Sequence, residues 1–347
     1  MSICKRILYL GANEGTSAHR ANALRRIGHE VDIVNIAEPG AFFPKHQQAN
    51  RILNKFIYEG GAWAVERCIR PLLNRAIQKQ RYDIAWVDQG VLISPDMVKR
   101  LKDSIPIVIN YNVDDPFPSK DKTKKRFSVY RKALPIYDLV VVVRVENIAE
   151  AYEAGARKVL RVYFSADEVA HAPLKLTLED RSRFASEVSF IGTWMPERGP
   201  FLARLLELGV PLTIYGERWK KSKEWPILRS VWQEPQMGVD YVRAIQCSKI
   251  CLGLLSKRNR DLHTTRSVEI PYIGSLFCAE RTSEHEAMYK DNKEAVFWST
   301  AEECAEKILW LLKNKEVRLS ITKAGQRRCQ NNKFLNEIVV KQILGNI

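Results

Sequence analysis

The feature that most constrains the fold is a repeated alternation of short apolar runs with segments of helical period. In the first half, runs with strand character occupy residues 5–11, 29–36, 82–89, 106–116 and 137–143. The unbroken valines of residues 140–143 are typical of a strand that is buried on both faces. This alternation predicts a parallel sheet that carries helices on both of its faces.

The same alternation starts again after a polar stretch at residues 166–186, which we interpret as a linker. Runs with strand character follow at residues 187–192, 211–216, 249–255, 275–280 and 295–299. A chain of 347 residues is long enough for two domains. We therefore predict an α/β fold of two Rossmann-like, doubly wound domains that face a cleft. The predicted parts are an N-terminal domain over 1–170, a C-terminal domain over 171–330, and a helix over 331–347 that returns to the first domain. Such sheets bind ligands at the carboxyl ends of their strands, so the cleft is the expected site.

Charge and composition narrow the partners and the compartment. A net charge of +15 favours an anionic partner, such as nucleotide phosphates, a membrane face or nucleic acid, without choosing among them. No apolar run reaches the ~20 residues that span a bilayer, and the N-terminus lacks a signal-peptide pattern, so we expect a cytoplasmic protein. The seven cysteines lack metal-binding spacing, and no cofactor or metal is predicted.

Two motifs of the first half follow predicted strands. The loop at residues 11–15 opens with Gly11 and leads into a helix N-terminus, where free amides attract anions, although a plain turn explains it equally well. The loop is not G-x-G-x-x-G, which disfavours a nicotinamide enzyme. Asp114 and Asp115 follow the fourth strand, and we expect them outside the core because buried unpaired charge is costly. Asp115 is the stronger candidate for an acceptor-orienting carboxylate, a general base or a metal ligand, and an Asp-Pro turn is the alternative.

Two motifs of the second half place arginines at helix starts. Gly192 ends a strand and lets a backbone approach a ligand, while Arg198 precedes a helix, where a guanidinium suits a diphosphate. A solvated arginine is the alternative for that position.

The second of these motifs is the stronger constellation. His263, Thr264, Thr265 and Arg266 stand at another helix start, with Glu269 one turn further on. Hydroxyls and amides there suit phosphate oxygens, the arginine adds a fixed charge, and the carboxylate can accept ribose hydroxyls. A capping box needs Ser or Thr three residues before the glutamate; that position is an arginine, so the box does not fit.

These residues resemble the C-terminal half of GT-B glycosyltransferases, and more narrowly the CgeB-like group. That group has the helix-start pattern H-[ST]-x-R-x-[FV]-E-[IA]-x-x-x-G, which is matched from His263 to Gly274. Further matches are a strand ending FxG before an arginine, an aromatic-Gly-x-x-Trp element and the Asp-Asp-Pro of the first half, carried here by Gly192, Arg198, Tyr215, Gly216, Trp219 and residues 114–116. In related retaining enzymes a Glu-x7-Glu pair binds the donor sugar and ribose. Glu269 matches the second member, and Asp261, one methylene shorter, takes the place of the first.

The resemblance implies transfer of a sugar from a UDP-, GDP- or TDP-linked donor, without a metal. The Asp261/Glu269 spacing favours retention, whereas inversion follows if Asp115 is a general base. The expected catalytic residues are therefore Asp115 and Asp261. The expected donor-binding residues are Gly11, Gly192, Arg198, Tyr215, His263, Thr264, Thr265, Arg266 and Glu269.

The acceptor and two competing functions stay open at this point. The acceptor can be a cell-surface glycan, a protein or an anionic polymer. Basic stretches at residues 119–132 and 219–232, the second with three tryptophans, suit an anionic membrane surface at the inner face of the membrane, nucleic acid, or simply solvent. The competing functions are a sugar-nucleotide epimerase or hydrolase on the same fold, and a non-catalytic nucleic-acid-binding protein.

Overall fold

Two α/β units make up the part of the chain that the computed structural model describes, which is residues 3–36, 56, 63, 65–117 and 125–347. The first unit consists of residues 1–163 together with 336–347, and the second consists of residues 164–335. The chain thus passes from the first unit to the second just before the polar stretch at 166–186, and it returns to the first unit for its last helix.

The described strands and helices follow one another in the alternating order that the sequence predicts. The strands are β1 (Arg6–Leu10), β2 (Glu30–Val34), β3 (Ile84–Asp88), β4 (Ile107–Tyr111), β5 (Leu139–Val142), β6 (Val159–Arg161), β7 (Ser186–Ile191), β8 (Leu212–Tyr215), β9 (Trp232–Gln233), β10 (Ser248–Gly253), β11 (Leu276–Glu280) and β12 (Val296–Trp298). The helices of the first unit before the crossover are α1 (Gly15–Arg26), α2 (Glu66–Lys79), α3 (Pro95–Ser104), α4 (Ser128–Ala133) and α5 (Glu146–Glu153). The later helices are α6 (Leu178–Phe184), α7 (Arg198–Glu207), α8 (Trp225–Leu228), α9 (Gly238–Gln246), α10 (Arg266–Ile273), α11 (Ser283–Met288), α12 (Ala301–Lys313), α13 (Lys315–Asn331) and α14 (Asn336–Leu344).

The sheet of each unit is parallel and doubly wound. In the first unit the described strands pair in the order β2-β1-β3-β4-β5-β6, and in the second unit the order is β12-β11-β10-β7-β8-β9. The chain winds away from β1 in one direction and resumes at β3 on its other side, and it does the same at β7 and β10. These two pairs are the switch points at which such sheets leave a crevice beyond their carboxyl ends. The predicted α/β class with two doubly wound sheets is confirmed.

Apolar burial on both faces of the sheets explains why these segments form strands. All four residues of β5 are buried, as the run of valines predicts. Helix α3 shows how a helix is started beside such a sheet: Ser94 Oγ accepts a hydrogen bond from the Met97 amide at 3.3 Å, and Pro95 occupies the first turn. No helix within the described ranges combines the length and the apolar character that a membrane crossing requires.

The first unit contains a buried ion pair between Arg20 of α1 and Asp88, the last residue of β3. The Arg20 guanidinium donates to both carboxylate oxygens of Asp88, with Nη2–Oδ1 at 2.8 Å and Nη2–Oδ2 at 2.9 Å. The guanidinium also lies over the Tyr111 ring, 4.7 Å from its centroid. Both charged side chains are almost fully buried, so each is the partner that makes the burial of the other tolerable.

The last helix completes the first unit. Helix α14 packs on α1, where Arg26 Nε lies 2.7 Å from Glu337 Oε1. Near the end of the chain, Lys158 Nζ donates to the Asn346 carbonyl oxygen at 2.5 Å. Residues far apart in sequence therefore hold α14 in the first unit.

Candidate functional site

The start of α10 is the centre of the candidate site. Thr265 is the N-cap residue, and its carbonyl oxygen accepts from the Glu269 amide at 2.8 Å, which closes the first turn. Thr265 Oγ1 accepts from Arg266 Nη1 at 3.0 Å. The helix ends at Gly274, whose φ of +104° is a conformation that glycine adopts without cost. The predicted helix start and end are therefore both present.

A chain of hydrogen bonds through Ser267 and His285 fixes the start of α10. The Thr264 amide donates to Ser267 Oγ at 3.0 Å, and Ser267 Oγ lies 2.8 Å from His285 Nε2. His285 Nδ1 lies 2.7 Å from the Glu280 carbonyl oxygen, so this nitrogen carries the proton and Nε2 accepts from the serine. Burial lowers the pKa of His285 to about 4, which keeps the imidazole neutral near pH 7.

His263 is a buried support of the same loop. The Phe164 amide donates to its Nε2 at 3.1 Å, which makes Nδ1 the protonated nitrogen, and Nδ1 faces the Glu284 carboxylate. The ring also packs edge-on against Phe164, with centroids 5.1 Å apart. Both ring nitrogens of this predicted donor-binding residue are thus engaged within the second unit.

Arg266 and Glu269 form one pair on the first turn of α10. Arg266 Nη1 lies 3.2 Å from Glu269 Oε2, and Arg266 Nε donates to the Ile191 carbonyl oxygen, at the end of β7, at 3.3 Å. The Arg266 side chain is 32% exposed, whereas that of Glu269 is 2% exposed. Burial opposes the charge on Arg266, but Tyr241 and Glu269 outweigh it and raise the pKa of the guanidinium. The pair therefore offers a fixed cation at the surface, backed by a buried carboxylate.

Tyr241 binds the Glu269 carboxylate and His171 lies beside it, and sequence reasoning missed both residues. The Tyr241 hydroxyl of α9 donates to Glu269 Oε2. His171 Nε2 lies 3.7 Å from Glu269 Oε1, and His171 Nδ1 accepts from the Asp167 amide at 2.9 Å. The acceptor role of Nδ1 directs the proton of a neutral imidazole to Nε2, toward the carboxylate. The only sequence signal for Tyr241 was the amphipathic period of the helix that carries it.

Arg198 braces the switch point of the second unit. Its Nη1 donates to the Thr193 carbonyl oxygen beyond β7 at 2.8 Å, and its Nη2 donates to the Leu254 and Leu255 carbonyl oxygens beyond β10 at 3.1 and 3.3 Å. The side chain is buried, so it is not the solvated arginine that the sequence left open. Burial lowers the pKa of Arg198 to about 10, although the guanidinium stays charged near pH 7.

Nearby charges also act on Arg198. Glu197 and Asp261 raise the pKa of this guanidinium, while Arg266 lowers it. Asp261 is buried and follows the turn at Lys257–Asn259, where its amide donates to the Ser256 carbonyl oxygen at 3.2 Å. The structure thus gathers Arg198, Asp261 and the Arg266/Glu269 pair at one edge of the second sheet.

The Tyr-Gly-x-x-Trp element forms the neighbouring wall of this edge. The Gly192 amide donates to the Tyr215 carbonyl oxygen at 2.9 Å, and Trp219 Nε1 donates to the Gly192 carbonyl oxygen at 3.0 Å. A side chain at Gly216 would place its Cβ 2.0 Å from that same carbonyl oxygen. The Tyr-Gly-x-x-Trp motif therefore determines the turn after β7, and the buried Trp219 side chain holds that turn in place.

Replacing Gly216 with alanine is expected to destabilise the second unit by about 2–3 kcal/mol, because the new methyl overlaps backbone that the Trp219 indole holds in place. Chemical denaturation measures the loss. Gly209→Ala is the matched control: Gly209 also has a positive φ, but its added Cβ meets nothing within 4 Å. That control should cost only about 1 kcal/mol. Equal losses in the two variants would show that the contact with Gly192 is not the cause.

The two predicted residues of the first unit lie after β1 and β4. At Gly11 an added Cβ would lie 2.5 Å from Ser17 Oγ and 2.7 Å from a Tyr9 ring carbon, so close packing alone accounts for this glycine. Asp115 accepts from the Phe117 amide at 3.1 Å and from Asn147 Nδ2 at 3.0 Å. The first of these bonds is the turn that the sequence offered as the alternative for this motif.

The expectation that both aspartates lie outside the core is wrong for Asp115, which is 1% exposed. Donors from a backbone amide and from Asn147 compensate its charge, and this is the condition under which a carboxylate can be buried. Asp114 is partly exposed and lies 3.4 Å from Arg126.

The tryptophans of the basic stretch at 219–232 serve largely within the second unit. Trp219 is buried, and Trp232 Nε1 donates to the Gly216 carbonyl oxygen at 2.9 Å. Lys220 Nζ lies over the Trp232 ring, 5.4 Å from its centroid. Of the other basic stretch, residues 119–124 lie outside the described residues.

Comparisons with known proteins agree with this fold and give a family for part of the chain. Residues 198–345 match a family model described as "Glycosyl transferase-like". The comparison with curated proteins found no match. Over 99% of the chain, the fold is similar to that of sucrose-phosphate synthase from Thermosynechococcus elongatus, at 10% identity and a TM-score of 0.69, covering 98% of that chain.

Two more solved structures share the fold. Anabaena HepE in complex with UDP-glucose is 12% identical with a TM-score of 0.65, over 99% of both chains. A glycosyltransferase from Rickettsia africae is 14% identical with a TM-score of 0.65, over 99% of this chain and 98% of that one. The chain thus has the two-sheet α/β fold of GT-B glycosyltransferases, as predicted, and the matched family range lies mostly in its second unit. The narrower relation to the CgeB-like group stays a prediction.

Proposed function

We propose that this chain is a glycosyltransferase that grips the diphosphate and ribose of a nucleotide-sugar donor at the start of α10. The observation that carries this proposal is the pair of Arg266 and Glu269, a partly exposed cation and a buried carboxylate on one helix turn beside the switch point β7/β10. The matched family region, 198–345, contains both residues. A UDP-linked sugar is the first candidate donor because HepE, which has the same fold, was solved with UDP-glucose; GDP- and TDP-linked sugars are the alternatives.

The chemistry of the proposed reaction follows from the charge at this helix start. Departure of the leaving group develops negative charge on the diphosphate, and a fixed guanidinium with the amides of a helix N-terminus stabilises that charge without a metal. Arg266 and Thr265 supply this contact. Arg198 donates to three carbonyl oxygens and so holds the loops after β7 and β10 together. Its buried guanidinium also adds positive charge to the site.

We assign the sugar side of the donor to Asp261, and the spacing of this residue before Glu269 supports retention. Asp261 acts electrostatically on Arg198, so its carboxylate lies near the cations of the site. Asp115 is our candidate for orienting the acceptor, and a role as general base would make the reaction inverting instead. Asn147 Nδ2 donates to Asp115 Oδ1 at 3.0 Å, which fixes the position of this carboxylate in the first unit.

The net charge of +15 supports an anionic polymer as the acceptor, or a contact between a cytoplasmic enzyme and the inner face of an anionic membrane. A cell-surface glycan or a protein is the alternative acceptor. Donor binding separates both enzyme functions from the nucleic-acid-binding function, and consumption of the donor without an acceptor separates the epimerase or hydrolase from the transferase.

A panel of nucleotide-sugars in a thermal-shift assay tests the proposal. A donor present at about 100 times its Kd should stabilise its unit by ~2.7 kcal/mol, a rise in Tm of about 5–11 °C for a unit of this size. The free nucleosides, which lack the diphosphate, are the control and should leave Tm unchanged. Failure of every nucleotide-sugar would contradict the proposal. Consumption of the donor without an acceptor would instead favour the epimerase or hydrolase, and nucleic-acid binding without donor binding would favour the third function.

A further inference from the structure

We infer that Tyr241 is a positioning residue that sets the geometry of both proposed donor-binding side chains, Arg266 and Glu269. The inference rests on the proposed function, because Tyr241 acts through these two residues. Nothing in the sequence around Tyr241 marks it as part of a site; its position in the fold does.

Tyr241 touches each charged member of the network with a different part of its side chain. Its hydroxyl donates to Glu269 Oε2. The face of its ring lies under the Arg266 guanidinium, 5.0 Å from carbon Cζ to the ring centroid. Its edge packs on the His171 ring, with centroids 6.1 Å apart and planes at 65°. One phenol therefore contacts the carboxylate, the cation and the imidazole that support the site.

The position of Tyr241 makes these contacts rigid. It lies on α9, which packs on α10, and the residue is 9% exposed. Burial, with the neighbouring Glu269 carboxylate, raises the pKa of Tyr241 far above its ordinary value, so the hydroxyl keeps its proton and acts as a donor. A tyrosine ring has few rotatable bonds, and a buried one holds its partners at low cost in conformational entropy.

The consequence for the donor is a preset geometry. Glu269 Oε2 accepts from both Tyr241 and Arg266, so the phenol and the guanidinium meet at a single carboxylate oxygen. Without the Tyr241 hydroxyl, Glu269 Oε2 loses one hydrogen-bond donor. The Glu269 carboxylate and the Arg266 guanidinium are then less restrained. Hydrogen bonds to a charged group are among the stronger ones in proteins, and removal of the donor leaves the buried acceptor partly unsatisfied.

A double-mutant cycle on the full chain tests the inference. UDP is the probe, and GDP or TDP replaces it if that nucleotide binds more tightly. Tyr241→Phe, which keeps the ring, should raise the Kd of the nucleotide by about 5- to 30-fold. The same substitution in a Glu269→Gln background should raise it less than about 2-fold, because the partner of the hydroxyl has already changed. Tyr241→Leu also removes the ring under Arg266 and should raise Kd by a further 2- to 5-fold.

Tyr289→Phe is the matched control. Tyr289 is likewise buried, and its hydroxyl donates to the Ser267 carbonyl oxygen of the same helix at 2.8 Å. This variant should lose thermal stability to about the same extent as Tyr241→Phe and leave the Kd unchanged, which separates positioning from general support of α10.

The outcomes separate the inference from the function on which it rests. If UDP, GDP and TDP all fail to bind the wild-type protein, both the inference and the proposed function are wrong. If the wild type binds and Glu269→Gln weakens binding while Tyr241→Phe does not, the inference alone is wrong. The same holds if Tyr241→Phe has an equal effect in both backgrounds, or if the Tyr289→Phe control weakens binding as much.

Discussion

Replacement of Arg266 with alanine is expected to lower kcat/KM for the nucleotide-sugar by about 10²- to 10³-fold. Removal of one donor that stabilises developing negative charge typically costs this much when the donor is held in place before the reaction. Arg266 meets that condition, because Ile191, Thr265 and Glu269 fix its guanidinium. Steady-state kinetics with the donor from the thermal-shift panel measures the effect.

Arg204→Ala controls for the loss of a positive charge in the same unit. Arg204 lies on α7 and pairs at the surface with Glu302 and Glu207, so its removal should change kcat/KM less than about 2-fold. Arg266→Lys keeps the charge without the guanidinium fork and should give an intermediate loss. If the Arg266→Ala variant binds the donor normally and turns it over at nearly the wild-type rate, the start of α10 takes no part in the reaction.

The second large effect is expected at the buried pair of the first unit. Arg20→Met should destabilise that unit by about 3–5 kcal/mol, because it leaves the Asp88 carboxylate buried without its cation. For a unit of this size the loss corresponds to a fall in Tm of about 6–20 °C. Scanning calorimetry, which can resolve the transitions of two units, is the suitable measurement.

The double variant Arg20→Met/Asp88→Leu decides whether the loss comes from the stranded charge. Replacement of both partners by apolar groups should recover much of the stability, since no ion is then left in the core. Arg6→Met, which breaks an exposed pair with Glu30 at 3.7 Å, is the control and should cost less than about 1 kcal/mol. A loss in Arg20→Met no greater than in Arg6→Met would show that the ion pair contributes little.

The sequence was sufficient to predict the fold because the evidence for it is local. Most strands are short apolar runs, and the longer helices repeat apolar residues at their own period, so the alternation is visible without knowledge of contacts. The two-residue strand β9 and the four-residue helix α8 carry no such signal. The boundary between the units is less visible. Residues 166–186 look polar, yet they contain α6, which begins with a capping box formed by Thr177 and Asp180.

The candidate site could be predicted in part because three of its residues, Thr265, Arg266 and Glu269, share one helix start. It was not predictable where contacts join distant segments. Tyr241 and Glu269 are 28 positions apart, and His171 approaches from a stretch with no motif. Asp115 shows the opposite error: the cost of burying its charge was correctly recognised, but the partner that offsets it, Asn147, is 32 positions away.

The location of α14 has a consequence for how the chain can reach its native state. Because residues 336–347 belong to the first unit, the sheet that is synthesised earliest lacks one of its covering helices until those residues have left the ribosome. The second unit, continuous in sequence, has no such wait. We therefore expect the second unit to finish folding before the first, although the first unit is translated earlier. Until α14 packs on α1, the face of α1 that it covers stays exposed to chaperones.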